Sequence, residues 1–148
     1  MSKYKELNSE IKEALHKGAV IPAHPLALHQ NLKLDETRQR LLTRYYMASG
    51  AGGVAVGVHT TQFEIRDPEI NLLEPVLKIA AEEIEGAQLK HPFIKIAGIC
   101  GPVEQSLREA ELAAKYGYHL GLLSNGVLAA YSEAELIKRA YAVSEIIP

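Results

Sequence analysis

Apolar residues return at helical spacing from about Lys3 to His16, with Leu7, Ile11 and Leu15 on one stripe, and this predicts a leading helix that ends near Gly18. The period then changes. GAVIPA, from Gly18, reads as a short buried strand, and the loop HPLALHQNLKL follows it. Asp35 suits the N-cap of a second helix, Leu41, Leu42, Tyr45 and Tyr46 give that helix an apolar face, and Gly50 stops it. The uncharged run GGVAVGV predicts a second strand, and the polar stretch HTTQFEIRDPEIN predicts a loop. Pro75 fits the first turn of a helix that runs through VLKIAAEEIE to Gly86. The third strand lies within HPFIKIAGICGP, and Pro102 opens a helix with Val103, Leu107, Ala110 and Ala114 on one side. YHLGLL is the fourth strand, and Ser132 with Glu135 forms a capping box for a last helix bearing Leu136, Ile137, Ala140 and Tyr141.

Four apolar strands alternating with amphipathic helices predict an α/β fold with a parallel sheet and right-handed crossovers, all in one domain over residues 1–148. Two architectures satisfy that order. One is a parallel (β/α)4 unit, half of a (β/α)8 barrel of about 250 residues, preceded by the N-terminal helix. It leaves one sheet face open and calls for pairing, as a homo-oligomer or with a further half. The other is a doubly wound sheet with helices on both faces. Periodicity does not choose between them.

Charge and composition narrow the partners. The net charge of −2 is spread evenly, so no basic block points to nucleic acid and no polybasic stretch points to a membrane surface. The apolar runs are too short for a bilayer span. The single cysteine, Cys100, excludes an internal disulfide and fits a reducing cytoplasm.

In either architecture ligands bind where parallel strands end at their carboxyl termini. The segments there run from His24 to His29, from His59 to Asp67, from Gly98 to Gly101, and over Ser124, Asn125 and Gly126. Thr60 and Thr61 offer adjacent hydroxyls and N–H groups, which suit a substrate carboxylate or a turn that satisfies its own backbone. His24 and His59 are candidate substrate contacts or acid/base groups. His24, His29 and His59 lack the spacing of a metal site, and no metal or cofactor is expected. Glu64, Arg66, Asp67 and Glu69 read as solvated ion pairs that fix a loop. Cys100 reads as a small buried hydrophobe, with a hydrolase built on Cys100 or His59 as an alternative. Lys95 stands inside an apolar strand, on the face of Phe93 and Ala97. Burial of a lysine there is the condition under which an amine becomes a nucleophile.

The series VIPAHPLAL, MASGAGGVAVGVHTT, IKIAGICG and ELAAKYGYHLGLLS resembles the N-terminal half of the dihydrodipicolinate synthase / N-acetylneuraminate lyase family. The likeness covers nearly all the chain from Gly18. It implies a (β/α)8 barrel and a class I aldolase-like lyase or synthase that forms an imine between a lysine and pyruvate or a related 2-oxo acid. Thr60 and Thr61 match the family's carboxylate-holding pair, and His24-Pro25 stands where the family has Thr-Pro. The family's tyrosine should fall near Gly126 or Val127, where none is present, and Tyr131 lies a few residues late. The imine lysine of the family belongs to the sixth strand, beyond this stretch, so the resemblance makes Lys95 a supporting residue and the isolated chain inactive. A non-catalytic half-barrel that binds a carboxylate and dimerises is the alternative.

Overall fold

The structure is a computed structural model that describes residues 3–126 and 128–148. Helix α1 (Ser9–Lys17) starts later than the apolar spacing suggests, because Asn8 caps it by accepting the N–H groups of Glu10 and Ile11. Helix α2 (Glu36–Ala48) begins at the expected cap, Asp35, which accepts the Arg38 N–H at 2.9 Å. Strand β1 (Gly53–Val56) leads into helix α3 (Leu73–Gly86), which holds Pro75 in its first turn. Strand β2 (Ile94–Ile99), helix α4 (Val103–Lys115), strand β3 (Leu120–Leu123) and helix α5 (Glu133–Ser144) complete the order. Ser132 and Glu135 form the expected capping box at α5. Among the described residues no helix is long and apolar enough to cross a membrane.

Among the described residues the sheet has three parallel strands in the order β1-β2-β3, where four were expected. The missing one is the GAVIPA segment. It lies alongside β1 as extended chain with a single bridge, Ala23 to Ala55. Gly52 donates to Val20 O, Ala55 donates to Pro22 O, and His24 donates to Ala55 O. Pro22 has no N–H with which to reach the Gly53 carbonyl between those bonds, so the ladder cannot become regular.

Strand alternation puts Val54, Val56, Phe93, Ala97 and Ile99 on one face, where they form one core with Val76, Leu77, Ala80 and Ile84 of α3, Ala110 and Ala113 of α4, and Val143 of α5. Tyr46 and Met47 of α2 pack against the same cluster. Helices α2 to α5 thus cover one face, which is not the doubly wound arrangement. The other face carries Ala55, Ile96, Leu120 and Leu122, and Leu122 is 55% exposed.

Three helices bury a different stripe from the one hydrophobicity marks. Leu41 and Tyr45 of α2 are exposed while Gln39 and Thr43 are buried. In α4, Ser106 and Glu109 go inside with Ala110 and Ala113, and Ala114 stays outside. In α5, Arg139 and Val143 are buried, whereas Ile137 and Tyr141 face solvent. Ser106 bonds within its own helix, to Val103 O, but Gln39, Thr43, Glu109 and Arg139 find their partners at the strand ends, which lowers the cost of enclosing them.

Ile99→Ala is expected to lose about 2–5 kcal/mol of stability in urea denaturation, and Leu122→Ala less than about 1 kcal/mol. Equal losses would mean that the two faces are wrongly assigned.

Candidate functional site at the strand ends

Two glycines set the geometry. Gly57, with φ at +76°, turns the chain out of β1, and Gly98 of β2 sits so close that a Cβ on it would collide with the Gly57 carbonyl. A short 3-10 turn, His59–Thr61, follows, then a second, Phe63–Arg66. The second turn brings Arg66 back beneath the strand ends. Its Nη2 donates to Gly57 O at 2.9 Å and to Gly98 O at 3.0 Å. Its Nε donates to Glu109 of α4 at 2.9 Å. Glu109 in turn accepts the Cys100 N–H at 2.9 Å and the Gln105 amide at 2.8 Å. Arg66 is therefore no part of a solvated loop cluster, as its neighbours suggested: it is 9% exposed and its partner 7%.

A two-lobed cavity opens above this pair. The smaller lobe, about 240 Å³, is lined by Gly57, Val58, His59, Gly98 and Leu122. The larger, about 420 Å³, is lined by Arg66, Gly101, Pro102, Gln105 and Gly126. Phe63, Cys100 and Ser124 border both. A groove of about 450 Å³ lies elsewhere, between α2 and α3, but Arg40 and Lys78 there are already paired with Glu36 and Glu82. The strand-end cavity is the better candidate, because it sits where parallel folds bind ligands.

The threonines are at this end, with their hydroxyls engaged. Thr61 is buried, donates to His24 O at 2.6 Å and accepts the Gly57 N–H at 3.0 Å. Thr60 donates more weakly, at 3.3 Å, to the same carbonyl. His59 is exposed on the smaller lobe. His24 turns the other way. It is fully buried, its Nδ1 lies 2.8 Å from Pro25 O and its Nε2 2.9 Å from the Thr43 hydroxyl of α2. Gln39 closes the group, donating to Pro25 O and accepting the Ala27 N–H. His29 faces Asp35 at 3.4 Å. The three histidines therefore serve three different places.

No family model and no curated protein sequence matches this chain. Solved structures do. N-acetylneuraminate lyase from Mycoplasma synoviae matches with a TM-score of 0.73 at 19% identity, over 88% of this chain and 44% of that one. Dihydrodipicolinate synthase from Oceanobacillus iheyensis matches with 0.73 at 14% identity, over 86% and 41%. A catalytic lysine mutant of Ruminococcus gnavus sialic acid aldolase matches with 0.74 at 21% identity, over 88% and 41%. The chain has the fold of these aldolases and synthases. It spans less than half the length of each.

In this aldolase-type fold Lys95 points away from the cavity. It does share a face with Phe93 and Ala97, but that is the helix-covered face and not an open interior. Its Nζ is 3.1 Å from Glu85 of α3 and 6.0 Å from the centre of the Tyr118 ring, and the side chain is 6% exposed. The buried stem packs, and the tip finds a carboxylate at the surface. Cys100 borders both lobes, and burial pushes its thiol above the ordinary value, which disfavours the thiolate nucleophile. Gly126 lines the larger lobe, and Val127 lies outside the described residues.

Sequence reasoning passed over Arg66, Glu109 and Arg139 as site residues. The available signal was a charge inside an apolar stripe: Glu109 precedes Ala110 on the buried side of α4, and Arg139 is one turn before Val143 on α5.

Burial holds His24 below the usual imidazole value of 6.5, and burial with the Lys95 charge beside it takes His119 down to about 4. The unfolded chain then binds protons that the folded chain refuses. Stability from both is complete above pH 6.5 and falls as the pH drops toward 4. Denaturant titrations at a series of pH values should show this slope, and His24→Gln with His119→Gln should flatten it.

Proposed function

We propose that this chain forms the 2-oxo-acid-binding part of a class I aldolase-like lyase or synthase, of the dihydrodipicolinate synthase kind, acting on pyruvate or a related 2-oxo acid. The observation that carries the reading is the two-lobed cavity at the carboxyl ends of three parallel strands, on a fold shared with lyases and synthases. The substrate carboxylate lies at the turn of His59 and Thr60, on the smaller lobe. Thr60 is the residue suited to hold it, because its 3.3 Å bond to His24 O is weak enough to be exchanged. Thr61, with its two hydrogen bonds, keeps the turn in shape. His24 supports the same turn through its carbonyl.

On this reading the imine-forming lysine and the proton-relaying tyrosine come from sequence outside these 148 residues. The lysine amine adds to the 2-oxo carbon, water leaves, and the protonated imine accepts the electron pair of the carbon–carbon bond. Lys95 takes no part, since its amine lies on the helix side of the sheet. A second reading, a carboxylate-binding half-barrel that pairs with a copy of itself without catalysis, draws on the exposed Leu122 and its neighbours Ile96 and Leu120.

Pyruvate with borohydride should leave the mass of these 148 residues unchanged, whereas a reduced adduct on Lys95 would overturn the assignment of roles. Calorimetric titration should show pyruvate binding about tenfold weaker in Thr60→Val. Unaltered affinity there would remove the carboxylate from this turn. Sedimentation at rising concentration tests the second reading, which a monomer throughout would sink.

A further inference from the structure

The larger lobe is built around charge that its own residues do not balance. Arg66 and Glu109 are paired and nearly closed to solvent. Arg139, from α5, is wholly buried, yet among the described residues its guanidinium donates to neutral acceptors, the Asn125 side chain at 3.1 Å and the Ser124 carbonyl at 3.1 Å. Two guanidiniums therefore share one carboxylate. Among the described residues, the buried side-chain nitrogens and oxygens without a hydrogen-bond partner are Arg66 Nη1 and Arg139 Nε, one on each arginine. A buried donor left unpaired costs about 1–3 kcal/mol, and more when it is charged, so natural structures rarely keep two together. Arg66, Cys100 and Ser124 line the lobe, and Arg139 is tied to that lining by its bond to the Ser124 carbonyl. The Ser124 N–H donates to Ile99 O at 2.8 Å, which brings the Arg139 loop against the end of β2.

We infer that the larger lobe binds an oxyanion, carboxylate or phosphate, carried at the far end of the substrate. The smaller lobe then takes the 2-oxo acid head, and the substrate reaches past Phe63, Cys100 and Ser124 to Arg66, with Arg139 behind the Ser124 loop. What fills the smaller lobe rests on the 2-oxo acid reading above; the charge at the arginines does not. Each arginine keeps one nitrogen for such a group, Arg66 Nη1 and Arg139 Nε, and a donor on a charged guanidinium makes a stronger bond to an anion than to a neutral acceptor. Pyruvate alone leaves this lobe unused, so the natural substrate is longer than pyruvate and carries at least one more negative charge.

The test is calorimetric titration of the full chain at low salt with pyruvate, 2-oxoglutarate, glutarate and inorganic phosphate. 2-Oxoglutarate should bind about tenfold more tightly than pyruvate, and glutarate should bind without any oxo group. Glu109→Gln decides whether charge is the cause. It removes the one carboxylate facing the two arginines while keeping an acceptor for Arg66. Affinity for 2-oxoglutarate and glutarate should rise about threefold or more, whereas mere damage to the fold would lower it. Arg139→Gln should abolish the preference for 2-oxoglutarate over pyruvate; should it fail to fold by circular dichroism, Glu109→Gln carries the test alone. Phosphate that binds as tightly as glutarate, and gains from Glu109→Gln, assigns the lobe to a phosphate ester. Glutarate bound as tightly as 2-oxoglutarate, with that gain, and pyruvate not bound at all, keeps the oxyanion site and removes the aldolase reading. Pyruvate bound as tightly as 2-oxoglutarate, or dianions weakened by Glu109→Gln, overturns the inference.

Discussion

One arginine holds the carboxyl end of this sheet together. Arg66 reaches two strand-terminal carbonyls with one nitrogen and Glu109 with another, and Glu109 passes the connection on to the Cys100 N–H and Gln105. Breaking the pair orphans the carboxylate and exposes Gly57 O, Gly98 O and the Cys100 N–H to the cost of unmet hydrogen bonds. Replacing it with apolar side chains is no remedy, because those backbone groups would remain. The glycines at 57 and 98 follow from the same contact, since the strands must come close enough for one guanidinium nitrogen to span them.

A second, uncharged knot works beside it. His24, Thr43 and Gln39 bind the loop after the extended segment to α2, and the His24 carbonyl receives both threonine hydroxyls. The turn that carries His59 and Thr60 is thus fixed from behind by a neutral, buried imidazole. Its position depends on a group at the helix side of the sheet, not on anything facing the cavity.

Much of this was legible in the sequence. The change between period 2 and period 3.6, the caps at Asp35 and Ser132, and the proline in the first turn of α3 place most elements correctly. Pro22 explains the lost strand, and its meaning was readable in principle. The helix faces were not legible from hydrophobicity, because Gln39, Thr43, Glu109 and Arg139 are inside for reasons of bonding. The location of the site followed from strand ends alone, but its charge did not. Arg66 sat among acidic residues that look like its partners, while its real partner lies in α4, 43 residues away. Lys95 shows the same limit: alternation named its face-mates correctly and left open which face the helices cover.

Leu122 belongs to two surfaces at once. It lines the smaller lobe, and it is the most exposed apolar residue on the bare face of the sheet. Whatever packs over that face therefore also becomes a wall of the cavity. Occupancy of the cavity and covering of the sheet are then linked equilibria, and whatever factor one applies to the other is returned in equal measure. Leu122 therefore ties the chemistry of the cavity to the packing of the bare face, so that neither surface can be altered without disturbing the other.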